Sequence, residues 1–282
     1  MKKILFFVGV MLTIILGGIF YYTISERQRH EFKVWFLNAG QGDSALIQFG
    51  DGETMLVDCG PDKRVLGELG RVLPFYVRTI DYVIATHSDL DHYGGCVDVL
   101  KRYDVKHIVV NDRSKFYDPY WREWDKAMRG EGAEIITMAS PTLWTIAGDT
   151  LRFLSPDPSF KLDTKADDNN NYSIVFQLTH GAKSFLFTGD MEMPLEEALM
   201  WKYCSSAVIP CPALRSAVLK VGHHGSSGAS SENFLAAVRP EQAIISVGPN
   251  RYGHPSRRAL KHLERVGTEI LRTDRLGAIL MR

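Results

Sequence analysis

The chain has 282 residues, 33 Lys+Arg balanced by 33 Asp+Glu, 45% hydrophobic residues and four cysteines. A neutral total excludes a strongly basic nucleic-acid coat protein and an acidic disordered tail, and modest Gly and Pro exclude fibrous and low-complexity classes. The length allows one large domain or two small ones and suffices to bury a core without disulfide or metal staples.

Residues 4–22 (ILFFVGVMLTIILGGIFYY) carry no charge and follow Lys2 and Lys3. About 20 apolar residues span a bilayer as a helix, whereas a soluble core helix seldom stays apolar on every face. The run exceeds the roughly 7–15 residues of a cleaved secretory signal and lacks a small-residue cleavage site. Residues 1–24 are therefore expected to be a transmembrane signal anchor. The competing reading is a cleaved signal and a secreted product. Arg27 and Arg29 follow the run as Lys2 and Lys3 precede it, so loop charge sets the orientation weakly. The N-terminal amine tips the expectation towards a cytoplasmic N-terminus and an extracytoplasmic globular part.

Residues 25–31 read as a polar spacer, and residues 32–282 as one globular domain. Strands are predicted at 32–37, 44–49 and 54–57. The last two are joined through Asp51-Gly52, whose residues tolerate positive φ and so favour a hairpin. Residues 63–73 have helical spacing, 82–85 (YVIA) form a short apolar strand, 96–103 a helix and 107–110 a strand. Later strands are predicted at 151–154, 173–178, 184–188, 218–221, 242–246 and 269–272, with helices at 194–202, 232–238 and 256–265. Hairpins followed by strand–loop–helix alternation predict an α/β fold of sheets covered by helices.

Cys59 and Cys96 each adjoin a glycine and read as small buried residues. Cys204 and Cys211 flank SSAVIP. In an oxidising compartment a disulfide is one reading, and two buried thiols the other.

His87-Ser88-Asp89-Leu90-Asp91-His92 follows the apolar strand and is closed by Gly94-Gly95. Four donors in six residues cannot share one face of a strand or helix, but in a tight loop they converge on one or two cations. Imidazole suits Zn, Fe or Mn, and carboxylates favour harder ions and can bridge two of them. Asp190 emerges from the strand SFLFTG, as a ligand or as a helix N-cap. His223, His224, Ser226 and Ser227 follow a third strand end, where backbone amides and hydroxyls would cradle an anion. Arg251, Tyr252 and His254 follow a fourth. Two cations bridged by a carboxylate would acidify a shared water and clamp the oxygens of a phosphodiester. Arg251 would neutralise a phosphoryl oxygen, and His254 would hydrogen-bond it or protonate the leaving group.

Through H-x-D-x-D-H-x-G-G at 87–95, T-G-D at 188–190 and G-H at 222–223, the chain resembles the metallo-β-lactamase superfamily. More narrowly it resembles the extracytoplasmic metallo-β-lactamase-like domain of ComEC-type DNA-uptake (competence) proteins. The strings are LNAGQGDS (37–44), VDCG (57–60), residues 86–95, NNNYS (169–173), FTGD (187–190), KVGHHGS (220–226) and RYGHP (251–255). The resemblance implies an αββα sandwich with two divalent metal ions (Zn or Mn) at one edge. His87, Asp89, Asp91, His92, Asp190 and His223 map onto metal positions, Asp190 as the bridge. Asp91 also carries a catalytic role in this assignment. His224 remains the alternative to His223, and Asn169, Asn170 and Asn171 stand where the superfamily often has a further His. Asp89 also replaces a commoner His, and an oxygen-richer site leans towards Mn or Fe. Ser226, Ser227 and Tyr252 are candidate substrate-binding residues.

Three functions compete. The first is an anchored phosphodiesterase or nuclease acting on DNA, alone or as partner of a separate uptake channel. It draws on residues 251–282, where eight Lys/Arg face Glu264, Glu269 and Asp274. The second is a hydrolase of small esters, lactones or thioesters, with Trp121, Trp124 and Trp144 lining an apolar pocket. The third is a non-catalytic accessory of the channel. By segment the neutral total resolves into +2 for residues 1–24, −7 for 25–250 and +5 for 251–282. Bound cations would offset part of the central deficit.

Overall fold

A computed structural model of the chain describes residues 2–162, 169–204 and 211–282. Helix α1 (Lys2–Arg29) holds the apolar stretch Phe6–Ile24, every residue of which is exposed. No Gly or Pro interrupts residues 25–29, and the helix continues through them into the polar stretch.

Strands β1 (Lys33–Phe36), β2 (Ser44–Gln48), β3 (Thr54–Cys59), β4 (Thr79–Ala85), β5 (Asp104–Asn111) and β6 (Glu134–Met138) lie side by side in chain order. A second sheet holds β7 (Thr142–Ile146), β8 (Asp149–Ser155), β9 (Val175–His180), β10 (Lys183–Phe187), β11 (Val218–Lys220), β12 (Gln242–Ile245) and β13 (Glu269–Arg272), again in chain order. The short β14 (Ile279–Met281) returns to the first sheet, antiparallel to β1. Strands β3 to β6 run parallel, as do β10 to β13. Their carboxyl ends meet at one edge of the sandwich.

Period-two alternation sorts the side chains into layers. Tyr82 and Ile84 of β4 face the second sheet, while Val83 and Ala85 face outward. Phe185 and Phe187 of β10 likewise point into the space between the sheets, and Leu186 points out. In the middle layer Phe187 stacks between Phe36 at 5.7 Å and Phe176 at 4.7 Å. Helices α2 (Arg64–Val72), α3 (Leu90–Tyr93), α4 (Cys96–Arg102) and α5 (Pro119–Gly130) belong to the first sheet's outer side. Helices α6 (Met193–Tyr203), α7 (Glu232–Val238) and α8 (Arg257–Arg265) cover the second. The result is the expected αββα sandwich. Ser231 and Ser256 cap α7 and α8 by accepting the Phe234 and Ala259 amides.

Elements α3, α5, β6, β7 and β14 lie where no element is predicted from sequence. Trp121, Trp124 and Met128 form the buried stripe of α5, and Trp144 packs partly buried against the inter-sheet core. Trp121 and Trp124 build the core, whereas Trp144 packs on it and also lines a cavity of about 300 Å³ with Tyr82, His107 and Glu134.

The cysteines also differ from expectation. Cys59, ending β3, is disulfide-bonded to Cys96, which begins α4, with Cα atoms 5.1 Å apart. The approach depends on Gly95, whose amide donates to Gly60 O and whose missing Cβ would otherwise lie 2.3 Å from Cys59 O. Cys204 and Cys211 are joined too, so the disulfide reading holds for that pair. The intervening residues 205–210 lie outside the described residues, as do 163–168.

Candidate metal centre

The end of β4 is held by a carboxylate from β3. Asp58, buried and in the left-handed region at φ 57°, accepts the Thr86 amide on Oδ1 and the Thr86 hydroxyl on Oδ2, both at 2.8 Å. The same Oδ2 lies 2.8 Å from His92 Nδ1, which fixes the ring and turns Nε2 towards the second sheet. A carboxylate on the far nitrogen in this way orients an imidazole for metal binding. His87 Nδ1 sits 3.1 Å from Thr86 Oγ1, and Asp89 pairs with Lys115. The expected loop thus folds with its two imidazoles inward.

The second sheet supplies the counterpart. Gly189, at φ +51°, turns the chain after β10, and a Cβ there would lie 2.8 Å from Ser173 Oγ. Ser173 Oγ accepts the Asp190 amide at 3.0 Å. Asp190 Oδ1 stands 3.2 Å from His92 Nε2, and Oδ2 stands 3.5 Å from His224 Nε2 and 3.8 Å from His223 Nε2. Asp190 is no helix cap. Asn171 Oδ1 accepts the Glu192 and Leu195 amides at the start of α6, leaving the aspartate to the imidazoles.

His223 and His224 both occupy the left-handed region, at φ 43° and 52°. Strain of this kind on consecutive non-glycine residues persists only where surrounding structure imposes it, and it concentrates at functional sites. The turn aims the rings differently. His224 is buried, with Nδ1 2.8 Å from Ser246 O and Nε2 3.2 Å from Asp91 Oδ2. His223 is half-buried, with Nδ1 2.8 Å from Glu192 Oε1 and 3.2 Å from Asn170 Nδ2. Asp91, His92, Asp190 and His224 offer ligand atoms all within 4.8 Å of one another, and Asp43, Asp58 and His92 form a second such group.

The remaining sequence-nominated residues sit around this cluster. The His254 ring is 5.2 Å from that of His223, while Arg251 and Tyr252 are exposed beyond it. Ser226 is buried and donates to Glu192 Oε1, Ser227 is exposed, and Asn169 precedes the turn bearing Asn170.

Asp58, Asp43, Lys220 and Glu192 are among the participants with no role assigned from sequence. Asp58 orients His92. Asp43 lies 3.2 Å from His224 Nδ1 and pairs with the buried ammonium of Lys220, which also donates to Gly189 O at 3.1 Å. Glu192 binds His223. The signal available for Asp43 and Asp58 was position alone, each beside a glycine-rich strand end.

Burial would raise the Asp190 carboxyl, but the His92 and His224 rings hold it well below the ordinary carboxylate range. Burial works against charge on His224 too, yet Asp190 and Asp43 push it up to about 10. His92 is raised by Asp190 and Asp58 against its burial, and Asp43 falls to about 2 through Lys220 and His224. His254 is lowered to about 4, first by burial and then by the two neighbouring histidines. Buried His87 Nε2, with Asp89 Oδ2 at 3.6 Å, and the facing His92 Nε2 and Asp190 Oδ1, 3.2 Å apart, make no well-directed hydrogen bond among the described residues. Imidazole and carboxylate lone pairs left unsatisfied in one pocket fit divalent cations, since a buried polar atom without a partner is otherwise costly.

Known proteins give the same architecture. Residues 37–248 match the family model of the metallo-beta-lactamase superfamily. The chain is 33% identical to ComE operon protein 3 of Bacillus subtilis across 89% of its own length and 33% of that protein's. It is 31% identical to competence protein ComA of Neisseria gonorrhoeae across 94% and 34%. It therefore spans about a third of these relatives. Among solved structures, Igni18, a metallo hydrolase of Ignicoccus hospitalis, superposes over 89% of this chain and 99% of its own, with a TM-score of 0.51 at 11% identity. That likeness concerns the fold. From the matched residues and the cluster they surround, the chain belongs to the metallo-β-lactamase superfamily of metal-dependent hydrolases.

Proposed function

We propose that the protein is a membrane-anchored, metal-dependent phosphodiesterase that cleaves DNA outside the cytoplasm, in the service of a DNA-uptake channel. The observation that carries the reading is the inward cluster of Asp91, His92, Asp190 and His224, whose ligand atoms all lie within 4.8 Å of one another. In this reading His87, Asp89, Asp91, His92, Asp190 and one or both of His223 and His224 hold two cations. When bound, divalent cations polarise a phosphoryl oxygen and acidify water.

The chain's own residues supply orientation and charge. Asp58 and Thr86 fix the His92 and His87 rings, and Lys220 holds Asp43 against His224. Arg257 and Arg258 lie exposed in the first turn of α8, after His254-Pro255 and the capping Ser256. A helix N-terminus disfavours cations there. Their placement is understandable if a phosphate backbone crosses this edge, with Arg251 and Lys261 beside it. The name of one relative, competence protein ComA, supports a DNA-uptake context for this reading. The two disulfides support an oxidising, extracytoplasmic location.

The test offers metal-loaded protein plasmid DNA, bis-(p-nitrophenyl) phosphate and a lactone. Phosphodiester cleavage should disappear on chelation with EDTA, return with added Mn²⁺ or Zn²⁺, and weaken as salt rises. Hydrolysis of the lactone alone would instead establish a small-ester hydrolase. Metal binding without any turnover would leave the accessory role.

A further inference from the structure

Helix α1 does not stand clear of the domain. Near its exit from the apolar stretch, Tyr21 stacks on Phe75 with centroids 6.5 Å apart, and Tyr22 lies 5.7 Å from Tyr76. The Tyr76 hydroxyl is 3.1 Å from Glu26 Oε1. Phe75 and Tyr76 belong to the turn between α2 and β4, where Phe75 is 73% exposed.

A single exposed aromatic is ordinary on a soluble surface. Depth makes this one different. The candidate span ends at Ile24, and Tyr21 lies three residues inside it, about 4.5 Å along the axis at 1.5 Å per residue. A side chain stacked on Tyr21 therefore shares the level at which the helix leaves the hydrocarbon. Aromatic rings favour that level, apolar body inward and polar edge outward. The cleft between α1 and the domain is lined by Phe20, Tyr21, Lys33, Arg71 and Arg282. Lys33 and Arg71 have the acidic neighbours Glu31 and Glu68. The exposed Arg282 beside the cleft's aromatics suits an anionic lipid headgroup.

From this geometry we infer that the turn at residues 73–76 and the adjoining cleft form a lipid-facing surface, docking the domain on the bilayer with Phe75 among the headgroups. The inference rests on reading α1 as a membrane span. It has a consequence for the metal centre. The turn enters β4 at its amino end, and the cluster lies beyond its carboxyl end. The strand's seven residues span about 23 Å at 3.3 Å per residue, so the cluster is held roughly that far from the turn along the strand.

The test places the photo-crosslinker p-benzoylphenylalanine singly at Tyr21, Phe75 or Phe116 of the full chain. Each protein is reconstituted in phosphatidylcholine/phosphatidylglycerol liposomes and irradiated. Phe116 is exposed on the loop beside Lys115. Lipid adducts at position 75 should match those at 21 and exceed those at 116 by at least about fivefold. Lipid adducts at 21 with none at 75, or with only protein adducts at 75, would overturn the docking surface while leaving the anchor intact. Absence of lipid adducts at both, with protein released by alkaline carbonate, would refute the anchor and the docking surface together.

Discussion

Replacing Asp190 by Asn is expected to lower kcat for phosphodiester cleavage by about a thousandfold, roughly 4 kcal/mol of transition-state stabilisation, in a protein that still folds. The carboxylate is buried, with one oxygen towards His92 and the other towards His224 and His223. Asn keeps the shape and the backbone bond to Ser173 Oγ but removes the charge and one acceptor. Three imidazoles then converge without the anion that balances them or bridges cations. Glu192→Gln supplies the contrast: Glu192 meets the outer nitrogen of His223 and the Ser226 hydroxyl, so a loss of about 10–100-fold is expected, as for other partners that orient a ligand. Assays with bis-(p-nitrophenyl) phosphate, paired with thermal melts, separate the two effects. Equal losses in both variants would remove Asp190 from the centre of the mechanism.

Loss of the Cys59–Cys96 bond is expected to cost about 4 kcal/mol of stability, from the loop-closure entropy of the 37-residue separation it spans. For a domain of this size that is a fall in Tm of roughly 10 °C. The bond ties the carboxyl end of β3, next to Asp58, to the start of α4, and the whole His87–His92 loop lies inside the closed segment. The double variant Cys59→Ala/Cys96→Ala should therefore lose stability and hold its metal loop less firmly. The Cys204–Cys211 bond closes only seven residues, so Cys204→Ala/Cys211→Ala should cost about 2 kcal/mol. Urea titrations of both variants measure this. A Cys59→Ala/Cys96→Ala midpoint equal to that of the unmodified protein would show that the bond does not form.

The parts legible in the sequence are those with short-range signatures. The Asp51-Gly52 hairpin, the YVIA strand feeding the acid/His loop, and Asp190 beyond a Phe/Leu/Phe strand all announce themselves within ten residues. Strand–helix alternation signals sheets covered by helices, while the αββα sandwich itself is what the family resemblance implies. Elements without that signature were missed. In β6 and β7 only the last residue of each is buried, so neither shows alternation. The three residues of β14 acquire meaning only by pairing with β1 across the length of the domain. The stripe of α5 was visible as tryptophans, but their destination, core or pocket, depends on what packs above them. At the metal centre, residue types and strand ends were readable, while lone carboxylates such as Asp43 and Asp58 were not. Nor was the difference between His223 and His224, because two consecutive left-handed residues point adjacent rings at different partners.

The central claim is that the acid and imidazole cluster between the sheets is a divalent-metal centre. Its most direct test is elemental analysis after equilibrium dialysis of the full-length protein against Mn²⁺ or Zn²⁺. The account predicts about two cations per chain, as two bridged ions require, falling sharply in Asp190→Asn and in His92→Ala. Folded protein that retains no cation, or retains the same number in both variants, would contradict it.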